Sequence, residues 1–337
     1  MQNKQIIFTS PAKAELLDVA LPVPKEHEVL VKTAFSTVSP GTERAIASGD
    51  PNISIYSTSQ EVRFPRESGY SSSGIVERVG SAVTSVRPGD RVAVYWGCHA
   101  QYQCLDESRV VPLPESVTLE EAALCHIGCF PLAAIRKCHL EIGESALVMG
   151  LGVLGMLAVK ELRAAGAAPI IAADPVKEKR EAAIRSGADH ALDPLAPDFA
   201  ERVKEITGGG VNVCIEVTGV GAALDSALDC MKPMGRIALL GCTRDRNFTI
   251  DYYRKVHGPG ITMVGAHTNA RPAQESSAGL WTVRDDLLVI LRLLSLDRLE
   301  ISSMIESTYA PSDAPTVYAR LCAEKFFPLV QFDWSRI

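Results

Sequence analysis

The segment GLGVLG at residues 150–155 constrains the fold more than any other part of this chain. It follows an apolar strand-like run at 145–150 and opens a helical run, MLAVKELRAAG. Glycines at this spacing allow a tight turn at Gly150, close approach of the backbone to a pyrophosphate at Gly152, and close packing of helix on strand at Gly155. The segment therefore predicts a turn that binds a dinucleotide.

The start of the following helix and the end of the next strand extend this prediction. Val153 and Leu154 begin the helix, where unpaired N–H groups and the positive end of the helix dipole face the phosphates. Asp174 ends the strand-like run PIIAAD, where a carboxylate accepts hydrogen bonds from both ribose hydroxyls and repels a 2′-phosphate. NAD is therefore predicted over NADP. Lys179 fits two interpretations, a contact to the same ribose or one of several solvated charges in KEKR.

Strands alternate with helices over the middle of the chain. Strand-like runs such as VNVCIEVTG and RIALLG are separated by helical runs such as KEKREAAIRSG. This alternation predicts an α/β fold, a Rossmann-type doubly wound parallel sheet with crossover helices. Ligands of such sheets lie beyond the carboxyl ends of the strands, so Thr218, Leu240 and Gly241 are predicted contacts on the nicotinamide side.

The first third of the chain has a different pattern. Runs rich in β-branched residues and broken by Gly, Pro and Asp, among them VLVKTAF (29–35) and RVVPLP (109–114), predict a β-rich unit. After the helical run WTVRDDLLVILRLLSL the tail returns to a mixed pattern, so we expect the β-rich domain to be discontinuous. We place it at 1–122 and 300–337, with the dinucleotide-binding domain at 123–299.

Composition and charge exclude several classes of protein. The chain of 337 residues has a formal net charge of −6 and no clustered basic run, which argues against a nucleic-acid partner. The amino terminus lacks the basic start and long apolar core of a signal peptide, and no run is as long as a membrane span. Nine cysteines without a disulfide-scaffold spacing indicate free thiols. We therefore expect a cytoplasmic protein without nucleic-acid or membrane partners.

Short motifs follow one another along essentially the whole chain. SPGTE (39–43), GYSSSG (69–74) and RPGDRV (87–92) precede GLGVLG and Asp174. With them the chain resembles the medium-chain dehydrogenase/reductase superfamily, which includes zinc alcohol, sorbitol and threonine dehydrogenases. The resemblance implies a GroES-like β-rich catalytic domain and a Rossmann domain. It also implies hydride transfer between nicotinamide and a small-molecule substrate, and assembly as a homodimer or homotetramer.

The zinc ligands of that superfamily do not match this sequence. In the zinc members the first motif supplies a cysteine and the second a histidine and a glutamate, and zinc needs such S, N or O donors. The matching positions here are Pro40, Tyr70 and Ser71, and a further ligand position falls on Cys125 or His126. One surviving donor cannot hold a metal, so we predict no catalytic zinc.

A structural zinc lobe is not indicated either. Cys98, His99 and Cys104 are the only candidates between residues 94 and 110. Their spacing on a strand distributes the side chains over both faces of the sheet. We therefore predict no metal site of either kind.

Without a metal, another group must polarise the reacting oxygen and manage its proton. Tyr70 stands at the position of the zinc-binding imidazole, while Thr42 and Glu43 match the family's proton-relaying hydroxyl and the carboxylate behind the ligands. We hypothesise that Tyr70 and Thr42 hydrogen-bond the carbonyl or alkoxide oxygen and that Glu43 orients them. A phenol with a pKa near 10 suits a donor better than a base. The alternative is that Tyr70 only fills the volume that the metal left.

The sequence leaves three functions to be compared. The first is an NAD-dependent oxidoreductase of a secondary alcohol or ketone. The second is an NADPH-dependent quinone or enoyl reductase, which Asp174 disfavours, and the third is a nucleotide-binding protein that has lost catalysis. The polar segment 251–272 suits a sugar- or cyclitol-like substrate if it faces the cleft, and is otherwise a solvated loop before the strand ITMVGA.

Overall fold

The structure is a computed structural model that describes residues 2–50, 62–243 and 247–337. The chain divides into two compact units, one formed by Met1–Ile127 together with Leu287–Ile337 and the other by Gly128–Asp286. The first unit is therefore discontinuous in sequence. The domain boundaries expected after residues 122 and 299 stay a prediction.

Strands and helices cover most of both units. The strands are β1 (Gln2–Ser10), β2 (Lys13–Ala20), β3 (Glu28–Thr37), β4 (Arg66–Glu67), β5 (Ser71–Val79), β6 (Arg91–Tyr95), β7 (Tyr102–Asp106), β8 (Val110–Pro112), β9 (Ala146–Met149), β10 (Ile170–Ala173), β11 (His190–Leu192), β12 (Val211–Glu216), β13 (Met231–Leu239), β14 (Thr262–Gly265), β15 (Ser307–Tyr309) and β16 (Val330–Asp333). The α-helices are α1 (Pro40–Ser48), α2 (Leu119–Lys137), α3 (Val153–Ala165), α4 (Lys177–Arg185), α5 (Phe199–Thr207), α6 (Gly221–Asp229), α7 (Val283–Ser295) and α8 (Ala314–Ala323). None of the described helices is both long and apolar enough to cross a lipid bilayer.

The first unit is rich in β-structure. One sheet has the order β2-β1-β4, and the other has the order β15-β16-β3-β5-β6-β8, with β7 also paired to β3. Phe8, Tyr318 and Phe332 are fully buried at the centre of this unit. The rings of Phe8 and Tyr318 meet edge to face with centroids 4.8 Å apart. The β-rich GroES-like domain predicted from the sequence is confirmed.

The second unit contains a parallel sheet covered by helices. Its order is β11-β10-β9-β12-β13-β14, which is the 3-2-1-4-5-6 order of a doubly wound nucleotide-binding sheet when β9 is counted as the first strand. Met149 at the end of β9 lies between Ala173 of β10 and Glu216 of β12. Because the carboxyl ends of these strands meet, the turns that follow them share one edge of the sheet. The predicted Rossmann domain is confirmed.

The helix α1 was not expected from the sequence, although its boundaries follow ordinary rules. Ser39 is the N-cap and Pro40 takes the first helical position, where its fixed φ and missing N–H cost nothing. Gly49 ends the helix in the left-handed conformation, with φ of +76°. The motif SPGTE therefore forms the first turn of a helix, with Glu43 on its buried face.

Candidate functional site

The glycine turn after β9 has the geometry that its spacing predicts. Gly150 has φ of +96°, and a Cβ there would stand 2.8 Å from Cγ2 of Thr218. A Cβ on Gly155 would stand 1.9 Å from the Gly150 carbonyl oxygen, so only glycine fits where α3 approaches the turn. Gly152 is the exposed N-cap of α3, with open space around the position of its missing Cβ. The backbone here leaves room for a ligand at the helix terminus.

Val153 and Leu154 form the first turn of α3 and are half-buried. The first backbone bond of the helix runs from Met156 N–H to the Gly152 carbonyl at 2.9 Å. The preceding N–H groups therefore have no partner within the helix and point out of its amino terminus. This arrangement suits the pyrophosphate of a dinucleotide.

Asp174 lies beside the glycine turn and helps to shape it. Its carboxylate is 5% exposed and accepts the Leu151 N–H at one oxygen and the Val176 N–H at the other, each at 2.9 Å. Nζ of Lys179 lies 3.7 Å from the oxygen that Leu151 contacts. Each carboxylate oxygen keeps a second lone pair, so the same group can also accept from a ribose.

The turns after β12 and β13 complete this edge. The N–H groups of Leu240 and Gly241 both donate to the Glu216 carbonyl at 2.9 Å. A Cβ on Gly241 would stand 2.3 Å from the Gly219 nitrogen, so the two turns touch through glycine backbone. A concavity at this edge is lined by residues 218–222 with Cys242 and Phe248.

The glutamate at the end of β12 was missed by the sequence analysis. Glu216 is 3% exposed and accepts from Thr218 N–H at 2.8 Å, from Gly219 N–H at 3.2 Å and from the Thr218 hydroxyl. Burial raises its pKa above the ordinary value, while these three donors oppose the shift. An acid ending the apolar run VNVCIE was the available signal.

In the first unit, Tyr70 is held by contacts at both its backbone and its phenol. The hydroxyl donates to Oγ of Ser39 at 2.6 Å. The Tyr70 carbonyl accepts from Trp96 N–H at 2.9 Å and from Nδ1 of His126 at 2.8 Å, which places a proton on that imidazole nitrogen. The Trp96 and His126 rings meet edge to face, with centroids 4.7 Å apart. The phenol therefore has a defined position and a neutral hydroxyl neighbour.

Trp96 has backbone strain next to this cluster. Its φ of +55° is in the left-handed region, which a bulky aromatic residue adopts only at a cost of order 1 kcal/mol or more. Trp96 and Tyr70 are both half-buried, with ring centroids 5.4 Å apart. Strained residues of this kind concentrate at functional sites.

The two predicted catalytic residues on α1, Thr42 and Glu43, differ in their burial. Thr42 is half-buried in the first turn. Glu43 is fully buried and accepts from His99 Nε2 at 3.1 Å, from the Tyr318 hydroxyl and from the Ser39 N–H at 2.9 Å. Glu43 therefore connects with Tyr70 through Ser39, a residue that the sequence analysis did not single out. A serine before proline at a helix start was its only signal.

The residues at the zinc-matching positions either carry no donor atom or are engaged in other contacts. Pro40 has no donor atom, the Ser71 hydroxyl donates to the Ala123 carbonyl at 2.6 Å, and the Cys125 thiol donates to the Glu121 carbonyl at 3.3 Å. Within the described ranges no group of three or more His, Cys, Asp or Glu side chains is arranged to hold a metal ion. The residues present therefore do not fit zinc.

The candidates for a structural metal site likewise contact different partners. The Cys104 thiol donates to Glu28 at 3.4 Å, and His99 is engaged by Glu43. Burial raises the pKa of the Cys98 thiol to about 12.

Polar residues of the segment 251–272 are either exposed or paired with other residues of the second unit. Tyr253–His257 is a single π-helical turn, and Arg254 of this turn pairs with Asp251, which precedes it. The side chain of Arg271 is 5% exposed, and it pairs with Asp286 at 3.3 Å. Tyr252 and Tyr253 are exposed. The exposed residues are those expected of the solvated alternative, and the substrate-facing alternative stays a prediction.

Comparison with known proteins identifies both domains. Residues 25–132 match the family model of the alcohol dehydrogenase GroES-like domain, and residues 153–281 match that of the zinc-binding dehydrogenase. An L-threonine 3-dehydrogenase of Thermococcus kodakarensis is 30% identical over 285 residues, which cover 73% of this chain and 77% of that protein.

Solved structures show the same fold at low sequence identity. An alcohol dehydrogenase from Escherichia coli CFT073, complexed with NADH, has a TM-score of 0.83 at 19% identity, covering 98% of this chain and 99% of that one. A dehydrogenase from Sinorhizobium meliloti 1021, bound to NADP, has a TM-score of 0.81 at 22% identity, covering 99% of both chains.

Proposed function

Since this chain belongs to the alcohol dehydrogenase-like medium-chain dehydrogenase/reductase superfamily, we propose that it transfers hydride between NAD(H) and a secondary alcohol or its ketone without catalytic zinc. It is an alcohol dehydrogenase-like oxidoreductase. The observation that carries the finer proposal is the phenol of Tyr70, hydrogen-bonded to Ser39 where zinc members have a metal ligand.

The second unit supplies the cofactor contacts. The residues that would hold NAD are Gly150, Gly152, Val153, Leu154, Gly155, Asp174, Lys179, Thr218, Leu240 and Gly241. The N–H groups at the start of α3 would bind the pyrophosphate, and Asp174 would accept from the ribose hydroxyls. Related structures contain NADH in one case and NADP in another, so the fold alone does not choose between them. Asp174 supports NAD, because a buried carboxylate repels a 2′-phosphate.

The first unit supplies the groups around the reacting oxygen. When bound, the nicotinamide accepts or supplies the hydride. To donate a hydrogen bond to the ketone oxygen, the Tyr70 hydroxyl would turn its proton away from Ser39 and accept from the Ser39 hydroxyl instead. With the alcohol bound it would keep its bond to Ser39 and accept from the alcohol, with Thr42 as a second hydroxyl. Glu43 would fix the amino terminus of α1 through the Ser39 N–H and so keep the Ser39 hydroxyl in place. In a secondary alcohol or ketone, the reacting oxygen is the one polar atom that these hydroxyls would have to recognise.

Three measurements on one preparation test the proposal. Protein purified without chelator is analysed for zinc, titrated with NADH and NADPH, and screened for NAD-linked turnover of alcohols and polyols. We expect substoichiometric zinc, tighter binding of NADH and turnover of a secondary alcohol. Stoichiometric zinc whose removal abolishes turnover would contradict the metal-free mechanism. NADPH binding as tight as NADH binding would contradict the role of Asp174, and NADH binding without any turnover would indicate a nucleotide-binding protein that has lost catalysis.

A further inference from the structure

Glu216 occupies the centre of the cofactor edge without being exposed there. It is the last residue of β12, and it lies between Met149 of β9 and Leu239 of β13 in the sheet register. Its carboxylate turns back over the strand end and accepts from the Thr218 N–H, the Thr218 hydroxyl and the Gly219 N–H. These three hydrogen bonds fix the conformation of the turn at residues 217–219.

This turn is in contact with the glycine turn. Cγ2 of Thr218 lies 2.8 Å from where a Cβ of Gly150 would stand, so the two turns are in close contact and no larger side chain fits between them. The Thr218 hydroxyl also accepts the Val220 N–H at 3.0 Å and so fixes the start of α6. A displacement of the turn at 217–219 would therefore displace the backbone on both sides of it.

We propose that Glu216 is a positioning residue of the cofactor site, which holds the turn at 217–219 against the glycine turn in the form that receives the dinucleotide. The proposal rests on the proposed function, since it presupposes that a nicotinamide dinucleotide binds at this edge. Glu216 is itself buried, so it acts through Thr218 and Gly219 and not by touching the cofactor.

The chemistry of the three donors explains why a carboxylate is needed. An ionised carboxylate only accepts hydrogen bonds, at both oxygens, whereas a glutamine amide presents an NH₂ group in place of one of them. In Glu216→Gln that NH₂ group would face the N–H of Thr218 or of Gly219, so at least one of these half-buried donors loses its acceptor. The turn would relax away from this arrangement.

The test compares two buried glutamates of the same unit. Glu216→Gln should raise the dissociation constant of NADH, read by fluorescence titration, about tenfold, the order expected for one donor left without its acceptor. Its kcat at saturating cofactor should stay close to that of the wild type, since the reacting atoms are not touched. Glu161→Gln is the matched control, because the Glu161 carboxyl is 2% exposed and has no hydrogen-bond partner among the described residues. It should leave NADH binding unchanged.

A second variant separates positioning from general destabilisation. Thr218→Val keeps the side-chain shape but removes the hydroxyl that joins Glu216 to Val220. If Glu216 acts through this hydroxyl, the double variant will bind NADH more tightly than the two single effects multiplied together predict. Fully multiplicative effects, or unchanged NADH binding in Glu216→Gln, would overturn the proposal.

Two further outcomes are also decisive. If Glu216→Gln does not fold, unchanged NADH binding in Thr218→Val still overturns the proposal. If the wild type binds neither NADH nor NADPH, the proposed function itself fails, and the role of Glu216 fails with it.

Discussion

At the scale of single residues, burial decides what a familiar set of side chains can do. Ser36, His99 and Glu43 lie in a row, with Oγ of Ser36 2.7 Å from Nδ1 of His99 and Nε2 of His99 3.1 Å from Glu43. These residue types in this order resemble a hydrolytic triad. All three are fully buried, and the Ser36 hydroxyl also accepts from the indole N–H of Trp334 at 2.8 Å. The three residues therefore stabilise the interior of the first unit, and a substrate cannot reach them.

We predict that Glu43→Ala destabilises the protein strongly. The change removes the acceptor of His99, of the Ser39 N–H and of the Tyr318 hydroxyl, whose pKa burial and then Glu43 raise well above the ordinary value. Unsatisfied buried donors and the cavity should together cost roughly 3–5 kcal/mol, measured by urea unfolding. Glu324→Ala, which breaks only a surface pair with Arg320, should leave the midpoint unchanged. Equal midpoints for the two variants would show that the buried network is not a major source of stability.

We predict that Tyr70→Phe retains the fold and loses turnover. The ring and its contacts with Trp96 and His126 remain, but the hydroxyl that would meet the reacting oxygen is gone. General acid–base groups contribute roughly 10²- to 10⁴-fold, so kcat for the best alcohol should fall within that range. Tyr309→Phe, on a strand of the same unit, is the control and should keep wild-type kcat. Unchanged kcat in Tyr70→Phe would mean that the phenol only fills space.

At the scale of elements, the sequence predicted the parallel sheet well because its strands are buried on both faces. Runs such as PIIAAD are nearly continuous in apolar residues, and their spacing by helices of regular period leaves few other folds. The strand β1 was missed because QNKQIIFTS mixes polar and apolar residues, with Asn3 and Gln5 buried as well as Ile6 and Phe8. Polar residues that are buried with partners give no apolar signal.

The candidate site was predictable only where its contacts are local in sequence or fixed by the fold. Asp174 follows from its place at the end of a strand beside the glycine turn. The hydrogen bond from Tyr70 to Ser39 joins residues 31 positions apart, and the hydrogen bond from Tyr318 to Glu43 joins residues 275 positions apart. Such pairs depend on how α1 and α8 pack, which no motif encodes.

On helix α3, Glu161 gives a pH prediction. Neither of its oxygens has a hydrogen-bond partner in the described part of the chain, and burial, followed by the nearby Asp286, raises its pKa well above 4.5. Arg136 opposes this shift and pairs with Asp286 at 2.7 Å, and Arg271 pairs with the same carboxylate. The folded chain thus keeps a proton that the unfolded chain releases near pH 4.5. Folding stability should therefore fall as the pH rises from about 4.5 towards the raised pKa of the folded state.

Glu161→Gln removes this dependence and is the way to measure it. The unfolding free energy of the variant should increase relative to that of the wild type as the pH rises, with a larger difference at pH 8 than at pH 5. Urea unfolding at each pH measures this difference. Glu181→Gln, on the exposed surface of α4, should follow the wild type at both values. A difference that stays constant with pH would show that Glu161 is ionised in the folded protein.

At the scale of the whole molecule, the proposed reaction needs both units. Each has an interior of its own, one centred on Phe8, Tyr318 and Phe332 and the other on the strands of the parallel sheet, with Leu147 and Ile237 among its members. The proposed cofactor contacts lie in the second unit and the Tyr70 cluster lies in the first. NADH binding, which is proposed for the second unit, can therefore be measured apart from the proposed turnover, which would also use Tyr70.

We predict that NADH stabilises the wild-type protein more than NADPH does. A ligand that binds only the folded state adds RT ln(1 + [L]/Kd), about 2.7 kcal/mol at a hundredfold excess over Kd, so the unfolding temperature should rise with NADH concentration. NADPH at the same concentration should produce a smaller rise, because its 2′-phosphate would meet the carboxylate of Asp174. Asp174→Asn removes that charge but keeps an acceptor for Leu151 or Val176, so its two thermal shifts should become more similar. Equal shifts for both cofactors in the wild type would show that Asp174 does not select between them, and no shift with either would contradict dinucleotide binding altogether.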